Sequence, residues 1–396
     1  MLMSNVSDNF LERYSILLEV WNLINDKYAL FETRDICWGA IKNKYENIVK
    51  QTPDIDVFEI IGAMLRELSD PHTKLNKKTI ENTYISPVGI YPLNGEFYII
   101  SNQKNDSKLK RGMKILQIND IPVNILLESE KSKLKYKSLS MVIINVIENL
   151  SSANYKKSII LTCESCGELI TEKFEFVRIL ELQQIQSQKS NIQNLNLVSS
   201  KEIGNVHYYK LHRFNNNATQ LFMESVNKHK DCTCLVVDLR GNTGGLVEEA
   251  KIFAGLFIKD KKRVGFEKKK LNNQISQILI EPHTYNVTNN YERIIFVCDN
   301  FSASSTEFIL LKAVKNYCDK IIIVGTKTAG LPHSATVYTL FNGYKLQVTT
   351  IQYVDEYGRS VDEIGIDPDF EVLNDVTYIT NGTDYQLKYA LELCGD

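Results

Sequence analysis

The 396-residue chain has no long apolar run. Nothing in it approaches the roughly 18 consecutive apolar residues that cross a bilayer, so no membrane partner is expected. It has almost no net charge. The 46 lysines and arginines nearly cancel the 48 aspartates and glutamates, which removes the broad basic field that nucleic acid demands. The local runs Lys261-Lys262-Arg263 and Lys268-Lys269-Lys270 read as solvated faces. A disulfide framework is also missing. The eight cysteines (Cys37, Cys163, Cys166, Cys232, Cys234, Cys298, Cys318 and Cys394) are scattered rather than packed into a small stapled unit, which fits free thiols in a reducing compartment. Cys163 and Cys166 form a lone CxxC. A structural zinc would want a second pair of ligands nearby, and none follows, so neither metal nor other cofactor is expected. There is no internal repeat and no low-complexity tract. The first residues, MLMSNVSDNFLERYS, hold no apolar core of leader length and place acidic residues early; a cytoplasmic location is expected.

What is present is an ordinary globular composition, 43% apolar and 24% charged, long enough for two or three domains. Residues 1–80 read as a helical region. Tyr14, Leu17, Leu18, Trp21, Ile24 and Tyr28 recur at helical spacing. A second helix is predicted over about 55–68, with Asp54 as its N-cap and an end forced by Asp70-Pro71. His72 follows on the turn that leaves it. Residues 81–180 read as a β-rich module of short strands, interrupted by one helix over about 138–150, with Glu164-Ser165 at a hairpin tip. From residue 181 the remainder reads as a layered α/β core. Its Cys234–Leu239 and Ile294–Cys298 runs are strands buried on both faces. Helices are predicted over Leu246–Ile258 and Ser302–Tyr317, and Asn342-Gly343 marks a hairpin.

Chemistry concentrates where buried strands end. Asp299-Asn300-Phe301-Ser302-Ala303-Ser304-Ser305-Thr306-Glu307 turns from strand to helix through small residues. That exposes a hydroxyl at a helix start, where free N–H groups and a partial positive charge favour a developing oxyanion. Serine and threonine are also common N-caps, and on this segment alone capping is the stronger reading. Asp238-Leu239-Arg240-Gly241-Asn242-Thr243-Gly244-Gly245 adds a glycine-rich turn after a neighbouring strand, able to aim backbone N–H groups into the same crevice. An oxyanion hole needs two such donors. Asp238 and Arg240 read as an ion pair or clamp that shapes this turn.

The ordered segments "LVVDLRGNTGG", "FSASSTEF", "VGTKTAG" and "IGIDPD", between residues 235 and 369, resemble the core of the tail-specific, C-terminal processing serine peptidases. That group includes the tricorn core and the bacterial nisin-resistance protein. "LKRGMKILQINDIPV" is similar to the PDZ segment that precedes such cores, and "LRELSDPHTKL" to the segment that closes their helical part. The resemblance implies a crotonase/Clp-like αβ peptidase core carrying an N-terminal helical region and a PDZ-like module. It implies Ser304, three residues before Glu307, as nucleophile, with Ser302 as fallback. It implies oxyanion donors from the N–H of Ser305 and of Gly244 or Gly245.

One departure matters. Processing proteases pair the serine with a lysine after "T-x-G", whereas here Thr328-Ala329-Gly330 is followed by Leu331. Members resembling the tricorn core use a histidine near the start of the peptidase region. His72 matches that segment and is the expected base, with His333 as runner-up. Asp362, beside Glu363 in "VDEIGIDPD", is the implied orienting acid; a carboxylate that only holds the loop is an equal reading. The expected activity is a cofactor-free serine endopeptidase acting on extended or unstructured peptide or protein substrates. The alternative is a catalytically inactive peptide- or ligand-binding protein on the same scaffold. A homo-oligomer is left open.

Overall fold

In the computed structural model, residues 2–76, 83–104, 106–134, 139–153, 157–165, 167–179, 198–270, 274–341 and 343–395 are described. The two apolar runs of the sequence lie side by side at the middle of a six-stranded sheet. Its order is Val198–Ile203, Val206–Leu211, Cys234–Asp238, Arg293–Cys298, Ile321–Gly325 and Phe370–Glu371. The first pair is antiparallel and every later pairing is parallel. Cys234–Asp238 is buried at all positions, because helices cover both faces of a parallel sheet. On one face Phe222, Phe253, Phe257, Phe308 and Leu311, from the helical segments that follow the strands, form the largest apolar cluster. On the other, Ala390 and Cys394 of the helix Tyr385–Cys394 pack on Val206, Val236, Ile295 and Val297.

A second sheet carries the hairpin of Ser334–Thr339 with Lys345–Val354, beside Lys262–Lys269 and Gln274–Ile280. Gly343 turns that hairpin at φ +83; Asn342, the other half of the turn signal, lies outside the described residues. The strand Lys74–Asn76 joins the same sheet, pairing antiparallel with Lys345–Gln347. The N-terminal region is thereby stitched into the core two residues after His72.

That region is three helices, Leu2–Lys27, Trp38–Gln51 and Val57–Arg66. They pack on Leu340, Leu346 and Val348 of the hairpin. The third begins at Asp56 rather than Asp54, because it is the Asp56 carboxylate that accepts from Phe58 N–H. The β-rich module is an antiparallel sheet of Val88–Leu93, Glu96–Asn102, Lys114–Ile118, Ser158–Ser165 and Glu168–Glu175. Besides the expected helix, found at Leu139–Ser151, it holds a second at Val123–Leu134. Cys163 is buried in the module core, and Cys166 lies outside the described residues, as does the segment 180–197 that contains the expected boundary with the core. The core cluster of the module takes in Ala303, Ala329 and Leu331, so it sits directly on the loops around Ser304.

Candidate active site

Ser304 lies six residues beyond the end of the strand Arg293–Cys298. The helix predicted from Ser302 begins later. Ser302 and Ala303 belong to no regular element, Ser304 adopts φ +59, and Thr306–Leu311 then forms wide π-type turns before Lys312–Tyr317 continues as α-helix. Tertiary hydrogen bonds impose the delay. Ala303 N–H donates to Asn242 O at 3.0 Å, and Ser304 N–H donates to Leu331 O at 2.8 Å. A non-glycine residue in the left-handed region is uncommon and persists where its surroundings over-determine it. Ser302, the fallback nucleophile, is fully buried and its hydroxyl donates to Leu239 O at 3.0 Å; it fixes the turn.

The glycine turn explains itself at Gly244. A Cβ there would fall 2.7 Å from Ser304 Cβ and 3.0 Å from Ser305 N, and φ is +91. Only glycine admits the serine turn this closely. As an oxyanion donor, however, Gly244 is corrected by the structure: its N–H already donates to Asn242 Oδ1 at 2.9 Å. The N–H groups of Gly245 and Ser305 have no acceptor among the described residues. Below the turn, Asp238 and Arg240 form the expected clamp. Arg240 reaches Asp238 through Nε (3.0 Å) and Nη2 (2.7 Å) and also grips Asp384, while Lys210 adds a third cation contact at 2.9 Å. Asp299, buried, gathers the N–H groups of Gly241, Phe301 and Ser302 on Oδ1 and so ties both turns together.

Glu307, three residues after Ser304, has a structural task of its own. Its buried carboxyl accepts from Thr328 Oγ1, from Gly330 N–H at 2.8 Å and from Leu331 N–H at 2.8 Å. Burial pushes it up to about 7, against the pull of those donors. The same loop is bonded to the closing segment: Ile366 N–H donates to Thr328 Oγ1 at 2.7 Å, and Glu363 N–H to Gly330 O at 2.9 Å.

His72 stands on a turn whose anchor is Asp70. The Asp70 carboxylate accepts from His72 N–H at 3.0 Å, from Thr73 Oγ1 at 2.7 Å and from Thr349 Oγ1 at 2.6 Å. Burial pushes the His72 ring below its ordinary value; Asp70 and Asp362 pull the other way, and His333 and Lys74 add to the depression. Asp362, the implied orienting acid, is engaged elsewhere. Its Oδ2 accepts from Arg34 Nη2 at 3.0 Å and lies 3.5 Å from His333 Nε2. Burial raises its carboxyl, but His333 and Arg34 outweigh burial and leave it well below the carboxylate range. Asp362 therefore reaches His72 through its charge.

His333 is corrected as runner-up base. Its Nδ1 accepts the N–H of Tyr353 at 3.1 Å, which uses the lone pair on that nitrogen and leaves the proton of the neutral ring on Nε2, toward Asp362. Lys327 pairs with Asp367 at 2.8 Å near the surface. Where lysine stands in the processing proteases, Leu331 is buried in the apolar cluster shared with the module. Among the described residues, neither the Ser304 hydroxyl nor the His72 ring makes a hydrogen bond.

A serine on a strained strand-to-helix turn, flanked by a glycine turn at the carboxyl ends of a parallel sheet, defines a serine-type peptidase built on an αβ core. Residues 204–372 match the model of peptidase family S41. It is 23% identical to a carboxyl-terminal-processing protease of a Synechocystis species over 97% of this chain and 87% of the relative. It is 25% identical to a probable CtpA-like serine protease of Staphylococcus aureus over 90% and 69%, respectively. Among solved structures, mature CPAF superimposes with a TM-score of 0.76 at 13% identity, covering 98% of this chain and 97% of that one. The photosystem II D1 C-terminal processing protease gives 0.55 at 18% identity, covering 97% of each chain. The tricorn protease gives 0.53 at 16% identity, covering 97% of this chain and 36% of that one.

Proposed function

We propose that the chain is a serine endopeptidase for extended or unstructured peptides, with Ser304 as nucleophile and His72 as general base. The observation that carries this reading is Ser304 itself. It is partly exposed, held at φ +59, carries a free hydroxyl and is pressed against a glycine turn. Ser304 Oγ attacks the peptide carbonyl carbon while its proton passes to His72; the carbonyl π pair becomes the oxyanion, held by the N–H groups of Ser305 and Gly245. The His72 proton then goes to the leaving amine as the C–N bond breaks. Water, activated by the same ring, hydrolyses the acyl-enzyme. A depressed His72 pKa keeps the ring neutral and ready to accept a proton near neutral pH.

Ser304→Ala should lose peptide cleavage by at least about 10³-fold and lose labelling by a fluorophosphonate. Wild-type cleavage in that variant would overturn the reading. If the wild-type chain binds peptides but neither cleaves nor labels, the binding-protein alternative stands instead.

A further inference from the structure

The turn that carries His72 is fastened to the core on two sides, and one fastener is a cation that no motif announces. Arg34 lies in the connection between the helices Leu2–Lys27 and Trp38–Gln51, with its side chain only 10% exposed. Its Nη1 donates to Leu68 O at 3.0 Å and to Ser69 O. Its Nη2 donates to Asp362 Oδ2 at 3.0 Å and lies 3.9 Å from Glu363 Oε1. Leu68 and Ser69 follow the last turn of the helix Val57–Arg66. Carbonyls there lack intrahelical partners, and a cation is favoured by the helix dipole. Ser69 also takes the left-handed conformation, φ +52, which a non-glycine residue holds only where its surroundings dictate it.

One planar group thus satisfies the backbone just ahead of Asp70-Pro71-His72 and grips the closing segment. That segment is bonded through Glu363 N–H to Gly330 O, and the next residue, Leu331, accepts from Ser304 N–H. We infer that Arg34 is a positioning residue for catalysis, holding the His72 turn at working distance from Ser304 by bridging the carbonyls of Leu68 and Ser69 to Asp362. The inference rests on the proposed Ser304–His72 pair. A lysine keeps the charge but presents a single ammonium, which does not span carbonyls and carboxylate as a guanidinium fork does.

The charged and titratable groups facing His72 are Asp70 and Lys74 from its own segment, His333 from the loop after Leu331, and Asp362 from the closing segment, with Arg34 and Glu363 against Asp362. The test is the pH dependence of peptide cleavage by full-length Arg34→Lys, Arg34→Ala and His72→Ala. Arg34→Lys should lose about tenfold or more in kcat, with KM within about threefold and the acid limb of kcat/KM unmoved. Arg34→Ala should lose more, and its acid limb should move to higher pH, because Asp362 without its cation draws protons onto His72. Wild-type kcat in Arg34→Lys overturns the inference, and that variant decides if Arg34→Ala does not fold. A folded Arg34→Ala with an unmoved acid limb overturns it too, reducing Arg34 to a structural tie. Wild-type cleavage by His72→Ala sinks the Ser304–His72 pair instead, a separate outcome.

Discussion

At the scale of single residues, the proposed base, His72, is shaped by what surrounds it rather than by a hydrogen bond to its ring. Burial lowers the His72 pKa, and Asp70 only partly restores it. A base whose pKa is lowered stays neutral to more acidic pH. The acid limb of kcat/KM should therefore fall below the ordinary histidine value of about 6.5. The measurement is a pH–rate profile under conditions where the fold is intact; a limb at or above the ordinary value would mean that another group is titrating. Glu307 shows the same principle turned to structure. A carboxyl buried at the helix start organises the loop Thr328–Leu331, and that loop in turn accepts the N–H of Ser304.

At the scale of the element, the loop from Thr328 to Leu331 joins three neighbours: the Ser304 turn, the closing segment and the β-rich module. Leu331 takes the place of the lysine of the processing proteases and lies in the apolar cluster that the module shares with Ala303 and Ala329. An ammonium there would be desolvated in that apolar cluster. Leu331→Lys should cost about 2–4 kcal/mol of stability by chemical denaturation. Placed in the His72→Ala background, it should not bring cleavage back. Restored activity in that double variant would show the loop still competent to run the lysine chemistry.

At the scale of the whole molecule, the segment that carries His72 is tied by strand pairing and a few polar bonds to a strand some 270 residues further along the chain. Lys74–Asn76 pairs with Lys345–Gln347. Thr349 N–H donates to Thr73 Oγ1 at 3.0 Å while Thr349 Oγ1 donates to Asp70 at 2.6 Å. Thr349→Val keeps the backbone bond and the shape but removes one hydroxyl donor from a buried carboxylate. It should cost about 1–3 kcal/mol and lower kcat more than it raises KM, read by denaturation and steady-state kinetics. Unchanged stability would mean that this hydroxyl bond adds nothing to the strand pairing and packing that hold the N-terminal region.

Much of this was legible in the sequence, for reasons that are local. Continuous apolar runs identified the two central strands because a parallel sheet buries both faces. The glycines after Asp238 and the small residues after Asp299 marked the turns because few other residues fit there. Ser304 was singled out only through the resemblance to a family motif, three residues before Glu307. The ordered motifs were enough to indicate an αβ peptidase core. What the sequence left open depended on partners distant along the chain. Which glycine N–H is free turned on the Asn242 side chain. Whether His333 retains a lone pair for catalysis turned on Tyr353 N–H. Asp362 faces Arg34 and His333, and Arg34 itself stands in an undistinguished turn with no pattern to mark it. The helix after Ser304 starts late because two tertiary hydrogen bonds override its propensity. Local spacing determined where Ser304 and its turns lie; only the packing of far-separated segments decided which groups around it are free to act, because a donor or acceptor already engaged looks the same in sequence as one that is not.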